Sequence, residues 1–154
     1  MTRIAICGAA GKMGLRIAAL ALKDKKIKIA AALERPGHPM IGRSLREIVD
    51  LPGADVVITS DPDNAAKLAD CMIDFTFPEP TMEHLASCLK CKTAMVIGST
   101  GLSLADEKKI KKASAKIPIV FSPNMAIGVN LVFELVAKAA GTLSPDFSIR
   151  IDET

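Results

Sequence analysis

A short run, Arg3-Ile4-Ala5-Ile6-Cys7, drops straight into Gly8-Ala9-Ala10-Gly11-Lys12-Met13-Gly14, and a helical pattern of Ile17, Leu20, Ala21 and Leu22 begins at once. A second apolar run, Ile27 to Leu33, ends on Glu34-Arg35. Glycines at such a turn let the backbone approach a pyrophosphate, and the helix N-terminus behind them offers unpaired N–H groups and a positive dipole end. A carboxylate closing the second strand, about 20 residues on, can accept hydrogen bonds from a ribose diol. The order strand, glycine turn, helix, strand, acid therefore points to a dinucleotide-binding βαβ unit.

The spacing departs from the usual G-x-G-x-x-G, because the glycines stand three apart at Gly8, Gly11 and Gly14. Glycine also serves turns that hold nothing. It is the strand before, the helix after and the acid beyond that favour a ligand over an empty turn. A Walker phosphate loop is excluded, since Lys12 is followed by Met13 rather than Ser or Thr.

At 154 residues, 49% hydrophobic and 24% charged, the chain is about one domain long and can bury an ordinary core. The net charge is only +3, and the basic run Lys108-Lys109-Ile110-Lys111-Lys112 falls on a predicted helix, where it reads as a solvated face. Without Trp or Tyr there is no stacking platform, so no nucleic-acid partner is expected. The uncharged run from Ile117 to Phe133 is punctuated by Pro118, Pro123, Asn124, Gly128 and Asn130, too short and broken for a membrane span. Lys12 and Arg16 break any signal-peptide pattern, and the expectation is a soluble, cytoplasmic protein. Cys88-Leu89-Lys90-Cys91 closes a predicted helix instead of opening one, and no second pair completes a metal site. The four cysteines read as reduced and no metal is expected.

The strand-then-helix rhythm continues. Strands are expected at Val56 to Thr59, Cys71 to Thr76, Ala94 to Ile97 and Ile117 to Phe121. Helices are expected around Asn64 to Ala69, from Pro80 to Leu89, after Ser103 as N-cap, and from Ile127 to Ala140. The fold class is α/β, a Rossmann-type doubly wound, mostly parallel sheet. Ligands in such sheets sit beyond the carboxyl ends of the strands. That rule selects Gly8 to Gly14, Glu34-Arg35, Phe75-Thr76-Phe77-Pro78 with Gly98-Ser99-Thr100-Gly101, and Ser122-Pro123-Asn124-Met125. Phe147 to Asp152 alternates with a period of two, which suits a half-exposed antiparallel strand outside that pattern.

Taken in order, the glycine turn, Glu34-Arg35, Asp74-Phe75-Thr76, Gly98-Ser99-Thr100-Gly101 and Pro123-Asn124-Met125-Ala126-Ile127-Gly128-Val129-Asn130 resemble the dihydrodipicolinate reductase family along the whole chain. The resemblance implies an NADH- or NADPH-dependent enzyme reducing 4-hydroxy-tetrahydrodipicolinate, a small dicarboxylate, to tetrahydrodipicolinate in the diaminopimelate route to lysine. It implies a homotetramer built by a second α+β substrate domain. Residues 1–125 would be the dinucleotide domain, and 126–154 the connecting helix and first strand of that second domain. Gly8, Ala9, Ala10, Gly11, Lys12 and Met13 would hold the pyrophosphate and Glu34 the adenosine ribose. Arg35, with Lys12 assisting, would pair with a 2′-phosphate, so both cofactors would bind. Phe75 and Thr76 would contact the cofactor, and Gly98, Ser99, Thr100, Ser122, Pro123, Asn124 and Met125 would line its nicotinamide end. Thr100 would also meet a substrate carboxylate. Ser99 stands where the family often has Thr, which keeps the hydroxyl.

In the family, a strand like Ile149-Arg150-Ile151-Asp152-Glu153 runs into a His-His pair, then a Lys and a Ser-Gly-Thr loop that supply the proton donor and the substrate carboxylate contacts. This sequence stops at Thr154, and His38 and His84 match neither position. No catalytic residue is therefore expected within it. The chain is expected to bind cofactor without turnover, to be less stable than a closed domain, and to associate through exposed apolar surface. The alternative is a stand-alone Rossmann-type nucleotide-sensing module without catalysis. Several residues keep two readings: Glu34 and Arg35 as ligand groups or solvated neighbours, Thr100 as a substrate contact or loop support, Asn124 as turn or contact, Met125 as packing or contact. Asp74 reads as structural, fixing a turn, and His38 as solvent-exposed.

Overall fold

The computed structural model describes residues 1–49, 53–143, 147–150 and 152. The elements run β1 (Thr2–Cys7), α1 (Lys12–Ala21), β2 (Ile27–Leu33), α2 (Arg46–Val49), β3 (Ile58–Thr59), α3 (Pro62–Leu68), β4 (Cys71–Asp74), α4 (Pro78–Cys91), β5 (Ala94–Ile97), α5 (Leu104–Ala113), β6 (Ile119–Phe121) and α6 (Ile127–Thr142). All six strands pair in parallel in the order β3-β2-β1-β4-β5-β6. The doubly wound sheet expected from the strand-helix alternation is therefore what forms, and its order reverses between β1 and β4, where Cys7 pairs with Asp74. A crevice beyond that point is where such a sheet receives ligands.

Each sheet face has its own core. Ala5, Cys7, Leu33, Met72, Met95 and Ile97 pack with Ala65, Leu85 and Ile110 on one side. Ile4, Ile6, Ile29, Ala32 and Ile58 pack with Ala18 and Ala21 on the other. Ile29 and Ala31 share a parity yet face opposite cores. The ladder explains this: Ile4 pairs with Ile29 but Ala5 with Ala31, so a bulge at Ala30 flips the side chains that follow.

Several element bounds differ from expectation. β3 keeps only Ile58–Thr59, because Val57 forms an isolated antiparallel bridge with Ser44 instead of continuing the parallel ladder. β4 ends at Asp74, since the side chain of Asp74 takes the Thr76 N–H and turns the chain there. α3 begins at Pro62 under an Asp61 cap, whose carboxylate accepts Asn64 N–H at 3.0 Å. Ser103 caps α5 as expected, accepting Asp106 N–H at 3.2 Å.

The chain divides into two compact units, Met1–Pro123 and Asn124–Thr154. In the second, Asn130 fastens the start of α6 by donating to Ala126 O (3.0 Å) and Asn124 O (3.1 Å). The strand expected over Phe147 to Asp152 does not form among the described residues, Ile151 lying outside them. A period of two gives a strand only where a neighbouring ladder satisfies its backbone, and the described residues of that segment have none. Among the described residues, no helix is long and apolar enough to cross a membrane.

Candidate functional site

The glycine turn is shaped by close backbone contacts. Gly8 adopts φ +67°, and a Cβ there would come within 3.0 Å of Thr76 Cγ2. A Cβ on Gly14 would meet Gly8 O at 2.2 Å, so α1 can start this close to the turn only with glycine. Ala9 is buried in the core and its N–H is taken by Leu33 O at 2.9 Å, which ties the turn to β2. No side chain caps α1, and its first bond runs from Leu15 N–H to Gly11 O. Among the described residues, the N–H groups of Lys12, Met13 and Gly14 meet no acceptor, which leaves the positive end of α1 available to an anion.

Glu34, just past β2, reaches back over the turn. Its Oε1 accepts Ala10 N–H at 2.9 Å and its Oε2 accepts Arg35 N–H at 3.3 Å. Arg35 is exposed at the rim. His38 is half-buried, not solvent-exposed, because its segment folds back on itself: His38 N–H reaches Arg35 O, and Met40 N–H reaches His38 Nδ1 at 3.2 Å. Gly8, Ala10, Gly11, Glu34, Arg35, His38, Phe75 and Thr76 line one cavity of about 380 Å³.

Beneath it lies Asp74, fully buried at the end of β4. Its Oδ1 accepts Thr76 N–H (2.8 Å) and Thr76 Oγ1–H (2.6 Å), and lies 3.3 Å from Thr81 Oγ1 and 3.2 Å from Ser99 Oγ. Its Oδ2 sits 2.6 Å from His84 Nδ1. Burial opposes the charge, but the hydrogen bond and charge of His84 and the Thr76 donors outweigh it and hold the carboxyl below its ordinary range. The structural reading of Asp74 as a turn-fixing residue matches these bonds, although the sequence reading missed its partner His84. The Cys7, Asp74 and His84 ligand atoms lie within 4.8 Å of one another. Burial first, then the charge of Asp74, pushes the Cys7 thiol well up, so it keeps its proton and is a poor metal ligand as it stands.

The other expected site residues of the first unit do not line this cavity. Lys12 and Met13 are exposed in the first turn of α1. Gly98 follows β5 against Phe75, whose ring would stand 2.1 Å from a Cβ there. Ser99 is buried with its hydroxyl 2.7 Å from Thr81, so that side chain supports the Asp74 network rather than facing a cavity. Thr100 is exposed, Ser122 half-buried and Pro123 exposed after β6. In the second unit, Asn124 Oδ1 accepts Ala126 N–H at 2.8 Å, the turn reading of that residue, and Met125 is 38% exposed. The cavity also uses Ser60, Pro62, Pro80, Glu83 and His84, none of them anticipated. Pro80, Glu83 and His84 stand at the i, i+3, i+4 spacing of one α4 face, which is the signal that was there to read.

The comparisons with known proteins agree with this layout. The chain is 43% identical over 152 residues to the 4-hydroxy-tetrahydrodipicolinate reductase of Dechloromonas aromatica, covering 99% of this chain and 56% of that protein. It is 45% identical over 151 residues to that of Aromatoleum aromaticum, covering 98% and 54%. The chain thus spans about half the length of the curated relatives it matches. A dipicolinate-bound dihydrodipicolinate reductase from Paenisporosarcina sp. TG-14 superposes with a TM-score of 0.74 at 25% identity, over 92% of this chain and 54% of that one. An aspartate semialdehyde dehydrogenase with NADP from Candida albicans shares the fold alone, with a TM-score of 0.59 at 17% identity over 78% of this chain and 42% of that one. The family described as "Dihydrodipicolinate reductase, N-terminus" matches residues 2–125, and the chain belongs to that family.

Proposed function

We propose that this chain is the cofactor-binding part of an NAD(P)H-dependent 4-hydroxy-tetrahydrodipicolinate reductase of the diaminopimelate route to lysine. The observation that carries the reading is Glu34, held 2.9 Å from Ala10 N–H beside an uncapped helix N-terminus. A fixed acceptor for a ribose diol and an open set of N–H groups for a pyrophosphate fit one pyridine dinucleotide. When bound, that group supplies the hydride.

Lys12 and Met13 take the pyrophosphate through their open N–H groups, with Gly8, Ala10 and Gly11 letting it approach the turn and Ala9 holding the turn to β2. Glu34 takes the adenosine ribose, and Arg35 at the rim takes a 2′-phosphate, so NADH and NADPH both bind. Phe75 with Thr76 flanks the cofactor. Gly98, Ser99, Thr100, Ser122, Pro123, Asn124 and Met125 serve the nicotinamide end, Ser99 through its backbone because its hydroxyl is committed. Thr100 also meets the dicarboxylate substrate. Residues 126–154 form the connecting helix and the beginning of a substrate domain that supplies the proton donor and builds a homotetramer in the cytoplasm. The exposed Ile127, Leu131, Phe133 and Leu135 of α6 support a role in association.

Calorimetric titration of the folded chain with NADH and NADPH tests the cofactor assignment. The expected result is binding of both nucleotides, and heat from neither overturns it. Assay of the complete gene product for nucleotide-dependent reduction of 4-hydroxy-tetrahydrodipicolinate tests the reaction. Binding without reduction there would point to a sensing module instead.

A further inference from the structure

Helix α4 has a second face that the glycine-turn cavity does not use. Met82, Leu85, Ala86 and Leu89 stand on it at i, i+3, i+4 and i+7, and with Ala113 of α5 they floor a groove of about 290 Å³ between the two helices. Leu85 and Ala113 are buried, but Met82 and Leu89 are only half-buried and Ala86 is exposed, so apolar surface is left open to water. The α5 side of the groove is cationic. Lys109, Lys112 and Lys116 line it at i, i+3 and i+7, a row about 10 Å long, and no carboxylate lines the groove. Lys116 N–H reaches Ala113 O at 2.8 Å, which carries the turn past the end of α5. Lys109 meets Asp106 of its own helix at 3.1 Å, whereas among the described residues Lys112 and Lys116 meet no carboxylate. Lysines near a helix C-terminus complement its dipole on any face. That account leaves unexplained why this row borders open apolar surface with no acid facing it from α4.

We propose that this groove docks an acidic amphipathic helix of a partner protein, its apolar stripe on Met82, Leu85, Ala86 and Leu89 and its carboxylates along Lys109, Lys112 and Lys116. Charge complementarity selects the occupant. A single-headed amphiphile such as a fatty acid would use one ammonium group. Three at helical spacing match a row of carboxylates at i, i+3 and i+7, and the apolar floor beside them takes the stripe of the same helix. Met82 suits such a floor because its unbranched thioether adapts to the side chain laid against it. The Lys109–Asp106 pair is exposed and contributes little, so Lys109 can exchange its partner. Docking here is independent of the dinucleotide reading, since neither the lysine row nor the apolar floor lines the glycine-turn cavity.

The test is nitrogen-15 NMR titration of the wild-type chain with a synthetic helix of about four turns, bearing a leucine stripe at i, i+3, i+4 and i+7 and a flank of glutamates. Amide shifts should concentrate on the α4 and α5 residues of the groove and weaken as salt is raised, because exposed charges are screened. One control peptide exchanges the glutamates for lysines and another exchanges the leucines for serines; both should bind far more weakly. In the double variant Lys112→Glu with Lys116→Glu, the acidic peptide should bind about ten- to thirtyfold more weakly and the lysine-flanked peptide should gain affinity. A gain of binding cannot come from misfolding, and the wild-type shift map does not depend on the variant at all. Absent or scattered shifts, equal binding of the serine peptide, or indifference to the charge reversal overturns the proposal. So does a groove that takes decanoate or anionic phosphatidylglycerol vesicles but not the acidic peptide, which would make it a site for a small amphiphile or a membrane surface.

Discussion

Glu34 Oε1 and the Ala10 N–H, 2.9 Å apart, join the end of β2 to the middle of the glycine turn. The bond holds a carboxylate over the turn, which on the proposed assignment lowers the ordering cost of a ribose contact. Glu34→Ala removes both the acceptor and the brace. Loss of hydrogen bonds to a charged group costs about 1.5–3 kcal/mol, so NADH and NADPH should each bind about ten- to a hundredfold more weakly. Unchanged dissociation constants by calorimetry would remove Glu34 from the site.

On the proposed assignment, Arg35 separates the two cofactors. Its exposed guanidinium can meet a 2′-phosphate but has no such partner in NADH. Arg35→Ala should weaken NADPH by about one to two decades and NADH by much less. Equal loss, measured in parallel titrations, means that Arg35 does not read the phosphate.

Gly14 and Gly98 are both crowded, against different neighbours. A Cβ on Gly14 strikes the backbone of Gly8 and Ala9, which cannot yield without opening the turn, whereas one on Gly98 strikes the Phe75 ring. Overpacking typically costs about 1–3 kcal/mol, and Gly14→Ala should lie at the upper end or above it in urea denaturation. Gly98→Ala should cost less once Phe75 is shortened, so Gly98→Ala with Phe75→Leu should be more stable than the sum of the two single losses. Strict additivity would show that the two residues do not press on each other.

Asp74 predicts a pH dependence. Its folded carboxyl titrates below the ordinary range, the His84 and Thr76 bonds outweighing burial. Its contribution to stability is therefore complete above the unfolded value of about 3.9 and is lost as pH falls through the lower folded value. Asp74→Asn should be destabilised by about 1.5–3 kcal/mol at neutral pH, and the gap to wild type should narrow below about pH 4. A gap independent of pH from 7 to 3 in chemical denaturation would contradict this.

The cysteines should differ in reactivity. Burial is the main cause that pushes Cys88 up to about 12, and Cys7 is raised well above its usual value for the same reason. Cys91, at the end of the same helix, is only half-buried. Ellman's reagent at pH 8 should modify Cys91 rapidly and leave Cys7 and Cys88 intact until the protein unfolds. Fast labelling of Cys88 in the native state would show that α4 opens readily.

The parts legible in the sequence are those governed by neighbours along the chain. The glycine turn, the Ser103 cap and the apolar run of β5 are each signalled by residues close together along the chain, and each stands where expected. The His84–Asp74 pair was not legible, although only ten positions separate them. One side chain leaves a strand end and the other a helix face, and they meet only because α4 packs on the sheet. Ser99 shows the same limit, since its motif suggested a ligand contact while its hydroxyl turned inward to Thr81. Alternation over Phe147 to Asp152 meets the same limit, because a strand is a property of a pair and the described residues of that segment have no paired neighbour.

By itself, the sequence determined an α/β sheet, a glycine turn and the acid that faces it, because period, glycine spacing and chain order act locally and survive in one dimension. Tertiary structure decided which side of the sheet each core residue serves after the bulge at Ala30, and which groups gather beneath the turn. A buried carboxylate takes its donors from whatever the fold brings within hydrogen-bond reach, and for Asp74 those come from the β4–α4 turn, α4 and the segment after β5.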